Sequence, residues 1–391
     1  MTGAETLAAA LEPRPTFRGP LHGQRPKRTG SLSADPWLVI AVTGLLGVGL
    51  VMVFNVSYFL GSSNVGDPYA FFRKHVFSIA LGGVIAAVVS RLGSDTFRRL
   101  AYPLLLAALV SLTLVLVPGI GSARGGAQRW LALGPLSFQP SELAKLALVL
   151  YLAASLDRKR ERLHDLRRGV LPYCLVAGVL ALLLLAEPDF GSTALVALVL
   201  LAMLFVAGAR PAHLLLLCAG GVPALVYLMI AEPYRWARLM AFLQYDLDPL
   251  GMGFQLRQSL IAFGSGGVIG VGLGQSQQKM FFLPAAHTDF IFSVVGEELG
   301  LIGALGVLGL FAWIALRGLR IAAAHPDRFG SLFAFGLTLL VVAQGLLNVG
   351  VVLGCLPTKG LVLPFISYGG SAMLLALAEV GALLALARET G

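Results

Sequence analysis

Charge is what this sequence has least of. Only 13% of its 391 residues are Asp, Glu, Lys or Arg, against 57% hydrophobic, and a soluble domain carries about a quarter charged. A soluble chain of this length would divide into two or three domains. There is too little charge here to cover their surfaces, so the composition points to one polytopic membrane domain. Cysteine is also scarce. Cys174, Cys218 and Cys355 each lie inside or at the end of an apolar run, a spacing that suggests neither a disulfide framework nor a zinc site. The six histidines form no HExxH, which argues against a dedicated metal cage. No solenoid-type repeat and no inverted repeat is visible, and the second absence weighs against a secondary transporter. The glycine-rich stretch 264–274 has nucleotide-like spacings, but no strand–helix unit surrounds it, so a Rossmann or P-loop reading is set aside. Residues 1–35 lack an apolar signal-peptide core and are rich in Pro, Gly and Arg. They read as a disordered cytosolic arm preceding a transmembrane domain over 36–391.

Long apolar runs are what the sequence has instead. A spanning helix needs about 20 apolar residues, and ten segments qualify: 37–60, 75–92, 100–118, 140–156, 170–187, 191–208, 212–231, 290–316, 331–355 and 366–387. The expected fold is therefore all-α, with about ten transmembrane helices. Of the 29 Lys and Arg residues, 19 fall on inner segments and 9 on outer ones if the N-terminus is inside, with Lys145 within a span. That bias places both termini in the cytosol. The net charge of +9 is thus explained by the membrane, and a nucleic-acid partner is not expected. One connection stands out: an extracytoplasmic loop over 232–289, between the seventh and eighth helices. Its Trp, Phe, Tyr and Leu content suggests partial embedding as a re-entrant or interfacial helix.

A few polar residues interrupt this background. Asp289 stands where the long loop enters the eighth span. With Thr288 it is a good helix cap; alternatively it is a general base at the water–membrane boundary, its pKa raised by partial burial. Glu297 and Glu298 lie two turns deeper, where carboxylates are costly and face a bundle interior or a wet cavity. Eight residues put Glu297 about 80° around the helix from Asp289, within reach of the same cavity. Glu298 points nearly opposite, toward a neighbouring helix. In QPSELAKLALVLYL, Pro140 and Ser141 suit a helix start, and Glu142 and Lys145 are spaced i, i+3 within ion-pair reach. They are either a self-satisfied pair or a cation for an anionic substrate with its orienting acid. Arg124, Arg129 and Trp130 form an aromatic-plus-cation patch at interface depth. Arg235, Arg238, Arg257 and Lys279 lie in the outer loop against the charge bias and suit an anionic ligand, or balance Glu232, Asp246 and Asp248. Ser367, Tyr368 and Ser371 offer a polar groove beside Gly369 and Gly370. A divalent cation (magnesium or manganese) shared between Asp289 and a pyrophosphate is conceivable, though the sequence requires no cofactor.

Together the stretches RGGAQRWLALGPLSFQPSELAKLAL, EPDFGST, EPYRWARLMAF, GMGFQLRQSLIAFGSGG, LPAAHTDFIFSVVGEELGLIG and LPTKGLVLPFISYGGS resemble the SEDS family (shape, elongation, division and sporulation) over roughly residues 37–388. The stretches EPYRWARLMAF and GLGQSQQK are more similar to its cell-division than its elongation members. The resemblance implies an integral membrane glycosyltransferase of the bacterial inner membrane, at the division septum. It would polymerise lipid II into a nascent glycan and release undecaprenyl pyrophosphate. Its partner would be a class B penicillin-binding protein together with other divisome subunits. The family's essential aspartate corresponds to Asp289, its fourth-span pair to Glu142 and Lys145, and its loop arginine to Arg235 or Arg238. His287 and Ser367 join the implied substrate-binding set, and Glu297 and Glu298 a supporting one. Ala285, Ala372 and Gln275 depart from the family's usual glutamate, serine and asparagine. A lipid II flippase and a non-catalytic divisome scaffold are the alternatives. The clustering of the singled-out residues at outer ends favours the enzyme.

Overall fold

The computed structural model describes residues 35–64, 67–124, 127–133, 136–243, 253–278, 287–357 and 360–390. The predicted arm lies outside them apart from Asp35. Ten helices fall on the ten predicted spans: α1 (Pro36–Asn64), α2 (Ala70–Val89), α3 (Ser94–Leu116), α4 (Pro140–Arg158), α5 (Leu171–Ala186), α6 (Phe190–Val206), α7 (Pro211–Ile230), α10 (Ile291–Ala324), α11 (Arg328–Val352) and α12 (Gly370–Ala387). Two further helices, α8 (Pro233–Leu243) and α9 (Phe254–Gly266), occupy the long connection. By length and composition, eight of the described helices are apolar enough to cross a membrane. The exceptions among the ten are α6, which has 17 residues, and α4, which carries Glu142, Lys145, Asp157 and Arg158; α5 reaches spanning length together with the π-helical turn Leu166–Val170 that leads into it.

Burial explains how α4 tolerates that charge. Fifteen of its 19 residues are buried, so the bundle, not lipid, surrounds it. Pro140 occupies the first turn, where its missing N–H costs no bond, and the expected Ser141 cap is not made. Helix α10 runs to Ala324, past its predicted end. Its charged extension is anchored where Arg317 Nη2 meets Asp35 Oδ2 at 2.6 Å, while Asp35 also caps α1 through Trp37 and Leu38 N–H. Close crossings use small residues, as membrane helices do: a Cβ on Gly381 of α12 would stand 2.6 Å from the Ala86 carbonyl of α2.

Two features go beyond the sequence reading. The connection 117–139, read as an interfacial patch, folds into an antiparallel meander of β1 (Gly121–Arg124), β2 (Ala127–Leu133) and β3 (Leu136–Phe138). The register pairs Gly121 with Leu131 and Leu131 with Phe138. The second feature is a break in α10 at Gly300, whose φ of 65° and ψ of −163° leave the helical region. The glycine-rich segment after α9 docks there. Val271 and Gly272 N–H donate to the Glu297 and Glu298 carbonyls (2.9 and 3.1 Å), and Leu301 and Ile302 N–H donate to Gly267 and Val268 (3.0 and 3.2 Å). The interrupted helical ladder is thereby satisfied inside the protein, as membrane burial demands. Within 264–274, Gly266 and Gly270 serve close backbone approach: a Cβ on them would collide with the Gly296 and Glu298 carbonyls, respectively. The long loop is thus largely helical in its described parts; residues 244–252 and 279–286 lie outside the description.

Candidate active site

Asp289 enters the site through its backbone. Three consecutive carbonyls are held from outside the segment: His287 accepts from Tyr368 N–H (3.0 Å), Thr288 from Ser367 Oγ (2.6 Å), and Asp289 from Asn348 Nδ2 (2.8 Å). The capping alternative fails, because Phe290 occupies the cap position of α10 and no side chain caps the helix. The Asp289 carboxylate is left half-buried and without a hydrogen bond among the described residues. Burial pushes its pKa up to about 6; Arg129 and Arg238 pull it down and Asp189 pushes it up. A carboxyl near 6 is a competent base at neutral pH.

Arg129 comes from β2. Its Nε donates to the Glu187 carbonyl at 2.9 Å and its Nη2 to the Pro188 carbonyl, both on the turn between α5 and α6. These bonds aim the guanidinium across Gly360. A Cβ there would sit 3.3 Å from Arg129 Nη1 and 3.5 Å from Asp289 Oδ2. Glycine therefore leaves open the space between cation and carboxylate.

A second cluster lies behind the same loop. Lys145 Nζ donates to Glu142 Oε1 at 2.7 Å and to Gln344 Oε1 at 2.6 Å, and the ion pair is almost fully enclosed. Gln344 Nε2 reaches the Val362 carbonyl (3.2 Å), and Asn348, one turn along α11, reaches the Leu361 carbonyl (2.6 Å) as well as Asp289. Residues 360–367 thus form a shared wall, with the lysine on one side and the aspartate on the other. Glu142, Gln344, Val362, Ser367 and Met373 line a crevice with Glu379 of α12, itself buried. Its room is on the scale of one water molecule.

The other expected residues separate into those at the site and those that support it. Arg238 of α8 is near enough for its charge to act on Asp289; the side chain of Arg235 lies outside the described residues. His287 forms a wall, its ring 5.8 Å from both Phe71 and Tyr368, and burial lowers its pKa. Ser367 is not a free ligand group, because its hydroxyl already accepts from Leu363 N–H (2.8 Å) and donates to Thr288. Glu297 does not share the Asp289 cavity. It accepts from Ser276 Oγ and from Gln277 N–H (2.9 Å), since the Gly300 break brings the 267–278 segment against it. Glu298 accepts from Asn55 Nδ2 (3.0 Å) and Ser276 N–H (3.4 Å), meeting the neighbouring helix as expected. No group of three His, Cys, Asp or Glu side chains suited to a metal occurs among the described residues. The charges acting on Asp289 include two arginines, Arg129 and Arg238.

Arg129, Glu187, Gln344, Asn348 and Glu379 were not assigned to the site from sequence. Polar residues inside spans, such as Gln344, Asn348 and Glu379, were the available signal. The approach of Arg129 to Asp289 is tertiary, and no spacing encodes it.

The family model described as "Cell cycle protein" (FtsW, RodA, SpoVE) matches residues 36–391. A probable peptidoglycan glycosyltransferase FtsW of Trichlorobacter lovleyi is 44% identical over 350 residues, covering 90% of this chain and 92% of that protein. A Coxiella burnetii protein of the same name is 42% identical, covering 93% and 99%. A solved chain from work on structural coordination of polymerization and crosslinking by a peptidoglycan synthase complex is similar with a TM-score of 0.75 at 34% identity, covering 92% of this chain and 99% of that one. The rod shape determining protein RodA of Thermus thermophilus is similar with a TM-score of 0.65 at 32% identity, covering 91% and 97%.

Proposed function

The chain belongs to the FtsW/RodA/SpoVE family, that is, the SEDS family, and from that premise we propose how its site works. It is a multi-pass membrane glycosyltransferase that polymerises peptidoglycan glycan strands from lipid II during cell division. The acceptor's 4-hydroxyl oxygen attacks the anomeric carbon of the growing chain's lipid-linked sugar. The bond from that carbon to the pyrophosphate oxygen breaks, undecaprenyl pyrophosphate leaves with the electron pair, and Asp289 takes the hydroxyl proton. Attack from the opposite face inverts an α-linked donor to a β-1,4 bond. Pyrophosphate is a good leaving group, so the acid partner of a glycosidase pair is not required. Arg129 and Arg238 stabilise charge growing on the pyrophosphate, Lys145 braces the 360–367 wall through Gln344, and the lipid tail stays among the helices.

The observation that carries this reading is Asp289 itself: a carboxylate fixed by its backbone, without a hydrogen bond of its own among the described residues, beside two arginines. The excess of Lys and Arg on one set of segments supports placing this site on the outer face of the bacterial cytoplasmic membrane. A septal location and a class B penicillin-binding partner, with other divisome subunits, belong to the same proposal; a similar chain from a complex that coordinates polymerization with crosslinking supports a crosslinking partner. A divalent cation, magnesium or manganese, would need substrate oxygens to complete its shell. The test is glycan synthesis from lipid II by the purified protein with its partner. Asp289→Asn should lose polymerisation while staying folded; near-wild-type turnover in that variant would remove Asp289 as the base.

A further inference from the structure

Glu187 opens the turn between α5 and α6 and has no part in the steps above. It is 0% exposed, and neither of its carboxyl oxygens has a hydrogen-bond partner among the described residues. An ionised carboxylate so placed would be a buried charge without a donor, which is costly enough that the group keeps its proton instead. Its backbone, in contrast, is engaged: its carbonyl accepts from Arg129 Nε at 2.9 Å, and the next carbonyl accepts from Arg129 Nη2. The remaining nitrogen, Nη1, faces the gap at Gly360 that Asp289 Oδ2 also borders. The charged groups acting on Glu187 are Asp189 on its own turn and Arg129 from β2. Asp189 is occupied in capping α6, accepting from Ser192 N–H (3.0 Å) and Oγ (2.7 Å). Arg129 thus lies between two acids, and only one of them can hold its charge without diminishing what the other receives.

We propose that Glu187 is a positioning residue for the Asp289 site: its carboxyl stays neutral, so that Arg129 is gripped by backbone carbonyls alone and its positive charge is directed at the Gly360 gap. This rests on the reading of Asp289 as the reacting base. Burial first, and Asp189 second, push the Glu187 carboxyl up to about 8, against the pull of Arg129. The sign follows. Below about 8 the group is neutral and Arg129 serves the site. As pH rises through that value Glu187 ionises, competes for the guanidinium, and turnover falls.

The experiment compares the full-length protein with its partner, as wild type, Glu187→Gln and Glu187→Ala, in lipid II polymerisation across pH. Wild type should lose rate above about pH 8, approaching tenfold per unit as one ionisation dictates. Glu187→Gln, neutral at every pH and of the same shape, should keep the neutral-pH rate within about threefold and lose the alkaline fall. Glu187→Ala loosens the turn and should be about tenfold slower, as misplaced groups are. A Gln variant as slow as the Ala variant, or one retaining the alkaline fall, overturns the proposal. Infrared difference spectra give a second readout independent of turnover. The protonated-carboxyl band present in wild type near neutral pH should vanish in Glu187→Gln; a carboxylate band in its place also overturns the proposal. Polymerisation surviving in Asp289→Asn would sink the base assignment while leaving the infrared result intact, so the two failures are told apart.

Discussion

Asp289 and the pair Glu297–Glu298 lie two turns apart on one stretch of chain, yet their oxygens have opposite circumstances. The glutamates are saturated: Ser276, Gln277 and Asn55 donate to them, and they fix a glycine-rich segment into a helix break. Asp289 has cations nearby and no donor of its own among the described residues, and its position comes from the bond its carbonyl accepts from Asn348. Acidic residues in a lipid-immersed bundle are therefore not equivalent evidence of chemistry. An acid whose acceptors are filled maintains the architecture, whereas one held by its main chain with its side chain left over is available to react.

Substitutions can break that contrast. The largest effect is expected at Asp289. Asn there should lower polymerisation about a thousandfold, in the range for removing a general base, with an unchanged thermal midpoint. Glu297→Gln should instead keep turnover per folded molecule. Equal losses of turnover in the two variants would abolish the distinction. Next is Lys145→Ala, which strands the buried Glu142 and should destabilise by about 3–5 kcal/mol, as breaking a buried pair does. Denaturation in detergent measures this, and weaker donor binding in the surviving fraction would add a substrate role. Glu297→Ala, which removes the acceptor of the Ser276 Oγ and Gln277 N–H bonds, should cost about 1–3 kcal/mol, read as a lower midpoint with turnover per folded molecule preserved.

The smallest effects sharpen the contrast through pH. Asp289 must be ionised to accept a proton, and burial raises its pKa, so turnover should climb as pH rises through about 6. Arg238→Ala removes a cation that lowers that value. The acid limb of the rate profile should therefore move to higher pH, while Glu297→Gln leaves it in place. A limb unmoved by Arg238→Ala would detach that arginine from the site.

The spans were legible because a membrane imposes one length on every crossing helix and the apolar runs report it directly. Asp289, Glu142 and Lys145 were legible as charges in costly places, and the family resemblance sharpened what they could be. The β-meander was not, because its short strands adjoin spans whose hydropathy dominates any window. Arg129 could be noticed but not placed: its partners lie at 187, 188 and across Gly360, a meeting that only folding brings about. The fate of Glu297 is not legible because Asp289 lies before the first turn of α10, so the helical angle between them does not hold, and because the 267–278 segment docks against Glu297.

That glycine has a mechanical consequence. Helix α10 is two levers end to end: the inner one is moored to the start of α1 by Arg317 and Asp35, and the stretch following α9 is stitched to both, at Glu297 and Glu298 before the joint and at Leu301 and Ile302 after it. A tug on α9 is therefore delivered to the joint itself, and the outer lever leads from there to Asp289.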